Sequence, residues 1–141
     1  MKIIVTGGAG FIGSNLIKSL LKKQSYHILN LDALTYAGNL STLADVENDP
    51  RYQFARINIC DLTTVTKAVN DFKPDWILHL AVESHVDRSI ENSEGFLQTN
   101  VVGTFNMLEA ARQYYAGLSA VAKETLCFRT PVNRVILILR I

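Results

Sequence analysis

The chain has 141 residues, enough for one domain with a buried core, and 48% of them are apolar against 19% charged, the balance of a globular protein and not of a disordered one. A formal net charge of +1 gives no electrostatic reason to expect nucleic acid or a membrane surface as partner. Cys60 and Cys127 stand far apart without CxxC or metal-ligand spacing, which argues against a disulfide framework or a zinc site. The apolar run Ile3-Ile4-Val5 stops at glycines, too short for a signal sequence or a span, so the expected location is cytoplasmic.

Short β-branched runs alternate with longer helical patterns along the chain. Residues 2–6 (KIIVT) predict a buried strand ended by glycine. Residues 11–22 follow with apolar positions 12, 16, 17, 20 and 21, a helical stripe. Residues 27–32 (HILNLD) and 52–57 predict the second and third strands. Asp61 is placed to cap a helix carrying Leu62, Val65, Val69 and Phe72, and Lys73-Pro74 ends it. Residues 75–80 (DWILHL) predict a fourth strand, in which His79, like His27 in the second, reads as a satisfied core histidine. From about 94 to 114 a long helix shows Leu97, Val101, Phe105, Leu108 and Ala111 at helical spacing. Two strand-like runs close the chain, 126–129 and 134–141 (RVILILRI), and either could supply a fifth strand; the second is an aggregation hazard if left unpaired. This order predicts an α/β fold with a parallel sheet of four to five strands, right-handed crossovers and helices on both faces.

The strongest chemical signal is Thr6-Gly7-Gly8-Ala9-Gly10-Phe11-Ile12-Gly13. Glycines at 7, 10 and 13 satisfy G-x-x-G-x-x-G, and those at 8, 10 and 13 satisfy G-x-G-x-x-G. Such glycines turn the chain sharply, let backbone N–H groups approach a pyrophosphate and let helix pack on strand, while the helix N-terminus presents unpaired amides. The pattern alone is weak, but here it follows a predicted strand and opens a predicted helix, the context of a Rossmann-type dinucleotide site. Asp32 ends the second strand 19 residues after Gly13. A carboxylate there can accept from the ribose hydroxyls and repels a 2′-phosphate, which favours NAD over NADP; capping of the turn is its plainer alternative. His85 and Asp87 have metal-ligand spacing but no third ligand at a suitable distance in sequence, so structural pairing is the preferred reading and no metal is expected.

The glycine spacing resembles that of the extended short-chain dehydrogenase/reductase superfamily, and four further segments narrow the resemblance. They are 31–39 (LDALTYAGN), 58–61 (NICD), 79–89 (HLAVESHVDRS) and 98–104 (QTNVVGT). Together they resemble the dTDP-glucose 4,6-dehydratase family over residues 1–129, and 79–89 is the run that separates it from related sugar-nucleotide epimerases. The resemblance implies NAD contacts from Gly7, Gly10, Phe11, Ile12 and Gly13, and from Asp32, Ala33, Leu34 and Thr35 at the ribose. Asn58 and Ile59 would flank the adenine. Leu80, Ala81, Val82, Glu83 and Ser84 would line the cofactor from the end of the fourth strand with Thr99 nearby, and Ser84 would also touch the sugar nucleotide. Asn58 stands where the family usually has Asp, Ala33 where it has lysine, and Val82 where it has alanine, whose replacement adds methyl groups beside the cofactor.

The implied reaction on dTDP-glucose takes hydride from C4, loses water across C5 and C6 and returns the hydride to C6. The superfamily's Tyr-x-x-x-Lys pair does not occur: four residues after Tyr26, Tyr36, Tyr52, Tyr114 and Tyr115 stand Asn30, Leu40, Arg56, Leu118 and Ser119. Where the family continues with Thr-Asp-Glu, residues 130–135 read TPVNRV. The expectation is therefore an NAD-binding part, residues 1–129, followed by a divergent tail, 130–141, with no catalytic residue of its own: a shortened copy, silent in turnover, of low solubility or prone to associate. The family's homodimers use the long helix ending near Tyr114, so a homodimer is conceivable.

Overall fold

A computed structural model of the chain describes residues 1–23, 25–83, 93–132 and 135–139. The elements run β1 (Lys2–Thr6), α1 (Phe11–Leu21), β2 (His27–Asp32), a 3-10 turn (Leu40–Leu43), β3 (Tyr52–Arg56), α2 (Leu62–Phe72) and β4 (Trp76–His79). Then come α3 (Ser93–Leu97), a π-helical turn (Gln98–Gly103), α4 (Thr104–Ala116), α5 (Ala120–Thr125), β5 (Cys127–Val132) and β6 (Val135–Leu139). The sheet order is β3-β2-β1-β4-β5-β6. The first five strands are mutually parallel and β6 lies antiparallel on β5.

The expected parallel strands are present and number five, and a sixth, antiparallel strand joins them because both C-terminal runs are strands. Only two residues separate β5 from β6. A parallel partner would need a crossover of a dozen residues or more, so a hairpin is the arrangement open to them. The sequence reading also missed the 3-10 turn and α5, both too short to show a periodic stripe.

Strand alternation divides the core in two. Ile3, Val5 and Ile28 point to the side of α1, where Ile17, Leu21, Leu43 and Tyr52 join them. Ile4, Leu29, Leu31 and Ile77 point to the opposite side, against Val65 and Val69 of α2 and Met107, Ala110 and Ala111 of α4. Both faces are thus covered, which is what all-apolar parallel strands require. Asp61 caps α2 as expected, accepting from the Thr63 and Thr64 amides. The helix ends with Lys73 in the left-handed region (φ 55°), where Pro74 forbids continuation.

Two expectations are revised. His79 is buried, but His27, the first residue of β2, is exposed. The long helix exists as one helical run from Ser93 to Ala116 with a π-turn inside it. Its core face is Asn106, Met107, Ala110 and Ala111, whereas Leu97, Val101 and Phe105 of the apolar stripe are 56%, 57% and 61% exposed.

Candidate functional site

β1 has β2 on one side and β4 on the other, so the strand order reverses there. A crevice opens beyond the carboxyl ends of strands at such a point, since the crossovers on the two sides leave in opposite directions. The structure has a cleft at that place. It is partly open to solvent and is lined by Gly7 and Gly10, by 31–33 with Thr35, Ala37 and Gly38, by 57–59, by 80–83 and by Thr99.

The glycines between β1 and α1 have separate causes. Gly7 has φ +69°, and a Cβ there would stand 2.7 Å from the Ala81 amide nitrogen, so both backbone angle and proximity to the end of β4 demand glycine. At Gly13 a Cβ would lie 2.3 Å from the Gly7 carbonyl oxygen, so α1 reaches the turn only without a side chain. Gly10 differs: its φ is −77°, and its Cβ would meet only the Gly7 oxygen, at 3.3 Å. The packing demand for glycine is thus weaker at position 10 than at 7 or 13, and Gly10 faces the cleft. Gly10 is also the N-cap of α1, with no side chain capping the helix and no acidic residue in its first turn. The helix therefore presents its positive end uncancelled.

Asp32, 8% exposed, sits at the end of β2. One carboxylate oxygen accepts from the Ala9 amide at 2.9 Å and the other from the Leu34 amide at 2.8 Å. The plainer role foreseen for it, organising the turn, is thus real. Each oxygen retains a lone pair, and the residue lines the cleft. Leu34, held by this carboxylate, has φ 53°, a strained angle for a branched side chain.

The opposite walls are held from the long helix. Asn100 in the π-turn bonds the Glu83 backbone at both ends, accepting from its N–H at 2.8 Å and donating to its carbonyl at 2.9 Å. The Asn106 amide donates to the carbonyls of Ile59 and Cys60 at 3.0 and 2.9 Å. Asn58 Oδ1 accepts from the Cys60 amide, so the amide oxygen is partly occupied within its own turn. Beneath the cleft, Thr6 Oγ1 accepts from the Leu80 and Ala81 amides, both at 3.1 Å. With both lone pairs taken, its hydroxyl donates to His79 Nδ1 at 2.7 Å, and His79 Nε2–H then donates to Thr104 at 3.0 Å. Burial pushes the imidazole pKa down to about 4, so the ring is neutral at physiological pH.

Of the residues picked out from sequence, Gly7, Gly10, Asp32, Ala33, Thr35, Asn58, Ile59, Leu80, Ala81, Val82, Glu83 and Thr99 line the cleft. Gly13, Phe11 and Ile12 form the first turn of α1, with the last two 85% and 69% exposed. Leu34 forms the corner after β2; none of these four is in the lining. Val82 is exposed. Ser84, His85 and Asp87 lie outside the described residues. Leu31, Ala37, Gly38 and Ile57 were missed, although each adjoins a predicted residue or motif at a strand end. Among the described residues no group of three or more His, Cys, Asp or Glu could hold a metal ion, and no helix is long and apolar enough to cross a membrane.

Comparison with known proteins gives a coherent set of likenesses. Residues 4–126 match the family model described as GDP-mannose 4,6 dehydratase. A probable dTDP-glucose 4,6-dehydratase of Sinorhizobium fredii is 55% identical over 119 residues, 84% of this chain and 34% of that protein. The crystal structure of dTDP-glucose 4,6-dehydratase from Bacillus anthracis in complex with NAD superposes with a TM-score of 0.76 at 32% identity, over 92% of this chain and 36% of that one. The Streptomyces venezuelae dTDP-glucose 4,6-dehydratase, crystallised with NAD, gives the same TM-score at 42% identity, over 81% of this chain and 36% of that one. The chain spans about a third of the length of the relatives it matches.

Proposed function

This chain belongs to the GDP-mannose 4,6 dehydratase family, and on that premise we propose that it is the NAD-binding part of a dTDP-glucose 4,6-dehydratase. The observation that carries the reading is Gly10: a glycine that faces the cleft at an uncapped helix N-terminus, where the protein's own packing demands one less than at Gly7 or Gly13. Phosphate oxygens need that approach and those amides.

The sheet order then lays the dinucleotide out. Phosphates rest on the turn after β1, from Gly7 to Gly13, with the amides of Phe11 and Ile12 at the helix start. Asp32 at the end of β2 takes the ribose hydroxyls with its free lone pairs, and Ala33 to Thr35 border it. The next strand outward is β3, so the adenine falls on Asn58 and Ile59. In the other direction, Leu80 to Glu83, with Thr99 from the π-turn, receive the nicotinamide half beside the sugar, where Ser84 follows. Bound NAD supplies reversible hydride transfer to and from the sugar ring. This chain's residues bind it, orient it and exclude a 2′-phosphate through Asp32. Within the 141 residues no tyrosine is followed four positions later by lysine, so proton transfer to the sugar, and hence turnover, is not expected of the chain alone. Substrate and reaction are carried over from the relatives, and the cytoplasm is the setting that suits two free cysteines, Cys60 and Cys127.

Titration of the purified chain with NAD, followed by thermal shift and with NADP as control, tests the reading. A saturable rise in melting temperature with NAD and little with NADP is expected; no rise with either would refute it. The same reading assigns the exposed stripe Leu97, Val101 and Phe105 to a face where two copies of the chain meet. Sedimentation equilibrium should show a dimer that Phe105→Asp dissociates, and a monomer at every concentration would remove that assignment.

A further inference from the structure

We infer that Asn106, a residue outside the cleft, is a positioning residue that sets the preference of this site for adenine, an inference that rests on the dinucleotide reading above. The base-bearing end of the cleft is the loop after β3. Its geometry is imposed from α4, 46–47 residues further along the chain. Asn106 is 5% exposed, and its amide group donates to two consecutive backbone carbonyls, Ile59 at 3.0 Å and Cys60 at 2.9 Å. Two further contacts from the same helical run act on the same loop. The Cys60 thiol donates to the Gln98 carbonyl at 3.3 Å. Gly103 lets the helix close on Ile59, since a Cβ there would be 2.5 Å from Ile59 Cδ1.

The consequence is directional. Drawing the carbonyls of Ile59 and Cys60 toward α4 fixes which polar atoms remain to face a base. The Asn58 amide is the side chain left on the cleft wall, its oxygen holding the Cys60 N–H with one lone pair and keeping the other. That oxygen, held in place by the Cys60 N–H, suits the exocyclic amine of adenine, whereas the carbonyl of hypoxanthine would have to turn to the Nδ2–H of the same amide. Removing the two donors of Asn106 orphans two carbonyls, and these can find new partners only by turning the loop.

The test uses the whole chain and two dinucleotides, NAD and its hypoxanthine analogue, measured by calorimetry on wild type, Asn106→Leu and Asn106→Ser. Asn106→Leu keeps the size and removes both donors, whereas Asn106→Ser retains one hydroxyl donor. Wild type is expected to prefer NAD. Asn106→Leu should weaken NAD about tenfold, the loss expected when a hydrogen-bonded pair is broken, and bring the two ligands to near-equal affinity, with Asn106→Ser between. A purely structural role would lower both affinities by the same factor and keep their ratio, which would overturn the inference, as would a wild type indifferent to the base. If circular dichroism shows Asn106→Leu unfolded, Asn106→Ser decides by the same ratio. Wild type that binds neither dinucleotide refutes the dinucleotide reading itself, whereas a wild type that binds both, with Asn106→Leu unaffected, removes only this inference.

Discussion

The two sides of the cleft are held by different physics. The turn between β1 and α1 is set by sterics: Gly7 must be glycine for its angle and its closeness to Ala81 at the end of β4, Gly13 for its closeness to Gly7. The walls after β3 and β4 are ordinary backbone held by amide side chains from a helix that begins beyond both, through Asn100 on Glu83 and Asn106 on Ile59 and Cys60. A steric constraint cannot be relaxed without moving main chain, whereas a hydrogen-bonded clamp can be loosened one bond at a time. The phosphate end of the site is therefore rigid, and affinity and base preference are adjustable at the other end.

Gly7→Ala attacks the rigid side and should have the largest effect. A left-handed alanine costs about 1–2 kcal/mol and an overlap with the backbone of Ala81 about 1–3 more, so urea unfolding should show a loss of about 2–5 kcal/mol. Gly10→Ala is the control within the same turn. Its backbone is unstrained, but alanine is a poor N-cap and its Cβ would press on the Gly7 oxygen at 3.3 Å, so stability should fall by only about 1 kcal/mol while NAD binding is lost. If both variants lose stability equally, Gly10 is structural and the cleft has lost its best argument.

The floor that joins the two sides has its own pH signature. His79 titrates near 4 in the fold against 6.5 unfolded, its imidazole kept neutral by burial. Above pH 6.5 the ring is neutral in both states and costs nothing. Below it the unfolded chain takes up a proton that the native state refuses, so stability falls with pH down to about 4, by about 3 kcal/mol in all. Asp45, Asp49 and Glu109 are held low by hydrogen bonds to Lys18, Arg51 and Arg112 respectively. Those carboxylates act below their unfolded values of 3.8 to 4.5, so among these groups of the described residues the window from 6.5 to 4.5 belongs to His79. Denaturation at pH 7 and pH 4.5 should differ strongly in wild type and little in His79→Asn.

Asn100→Ala loosens the β4 wall. Two hydrogen bonds to Glu83 are lost from a half-buried site, about 1–2 kcal/mol of stability, and NAD affinity should fall with it because Glu83 lines the cleft. An unchanged affinity would mean that this wall holds its shape without the helix.

The same contrast explains what could be read from the sequence. The glycine turn and Asp32 were legible because their cause is local: a strand, a steric turn and a carboxylate at fixed spacing. The first four strands and the Asp61 cap were legible for the same reason. Asn100 and Thr104 entered only as letters of the run 98–104 and Asn106 not at all, and none could be given a partner, since those stand 17 to 47 residues away, and an asparagine in a helix looks alike whether it clamps a loop or meets water. The stripe Leu97, Val101 and Phe105 had the right period but not the side it faces. The sixth strand was visible as an apolar run, but its antiparallel sense came from the shortness of its connection.

The smallest expected effect separates local from distant control of the β3 loop. Asp61 follows the loop directly, its amide bonded to the Asn58 carbonyl at 3.0 Å and its carboxylate capping α2 through Thr63 and Thr64. If α2 anchored the loop, Asp61→Ala would lower both stability and NAD affinity. The carbonyls of Ile59 and Cys60 are tied to α4 instead, and the Asp61 amide that bonds Asn58 survives the substitution. Asp61→Ala should therefore cost about 1 kcal/mol of stability for the lost cap and leave the dissociation constant for NAD where it was. A parallel fall in affinity would show that the cap, a feature readable from sequence, shares the hold on the loop, and the division between a locally built side and a remotely clamped side would have to be redrawn at Asp61.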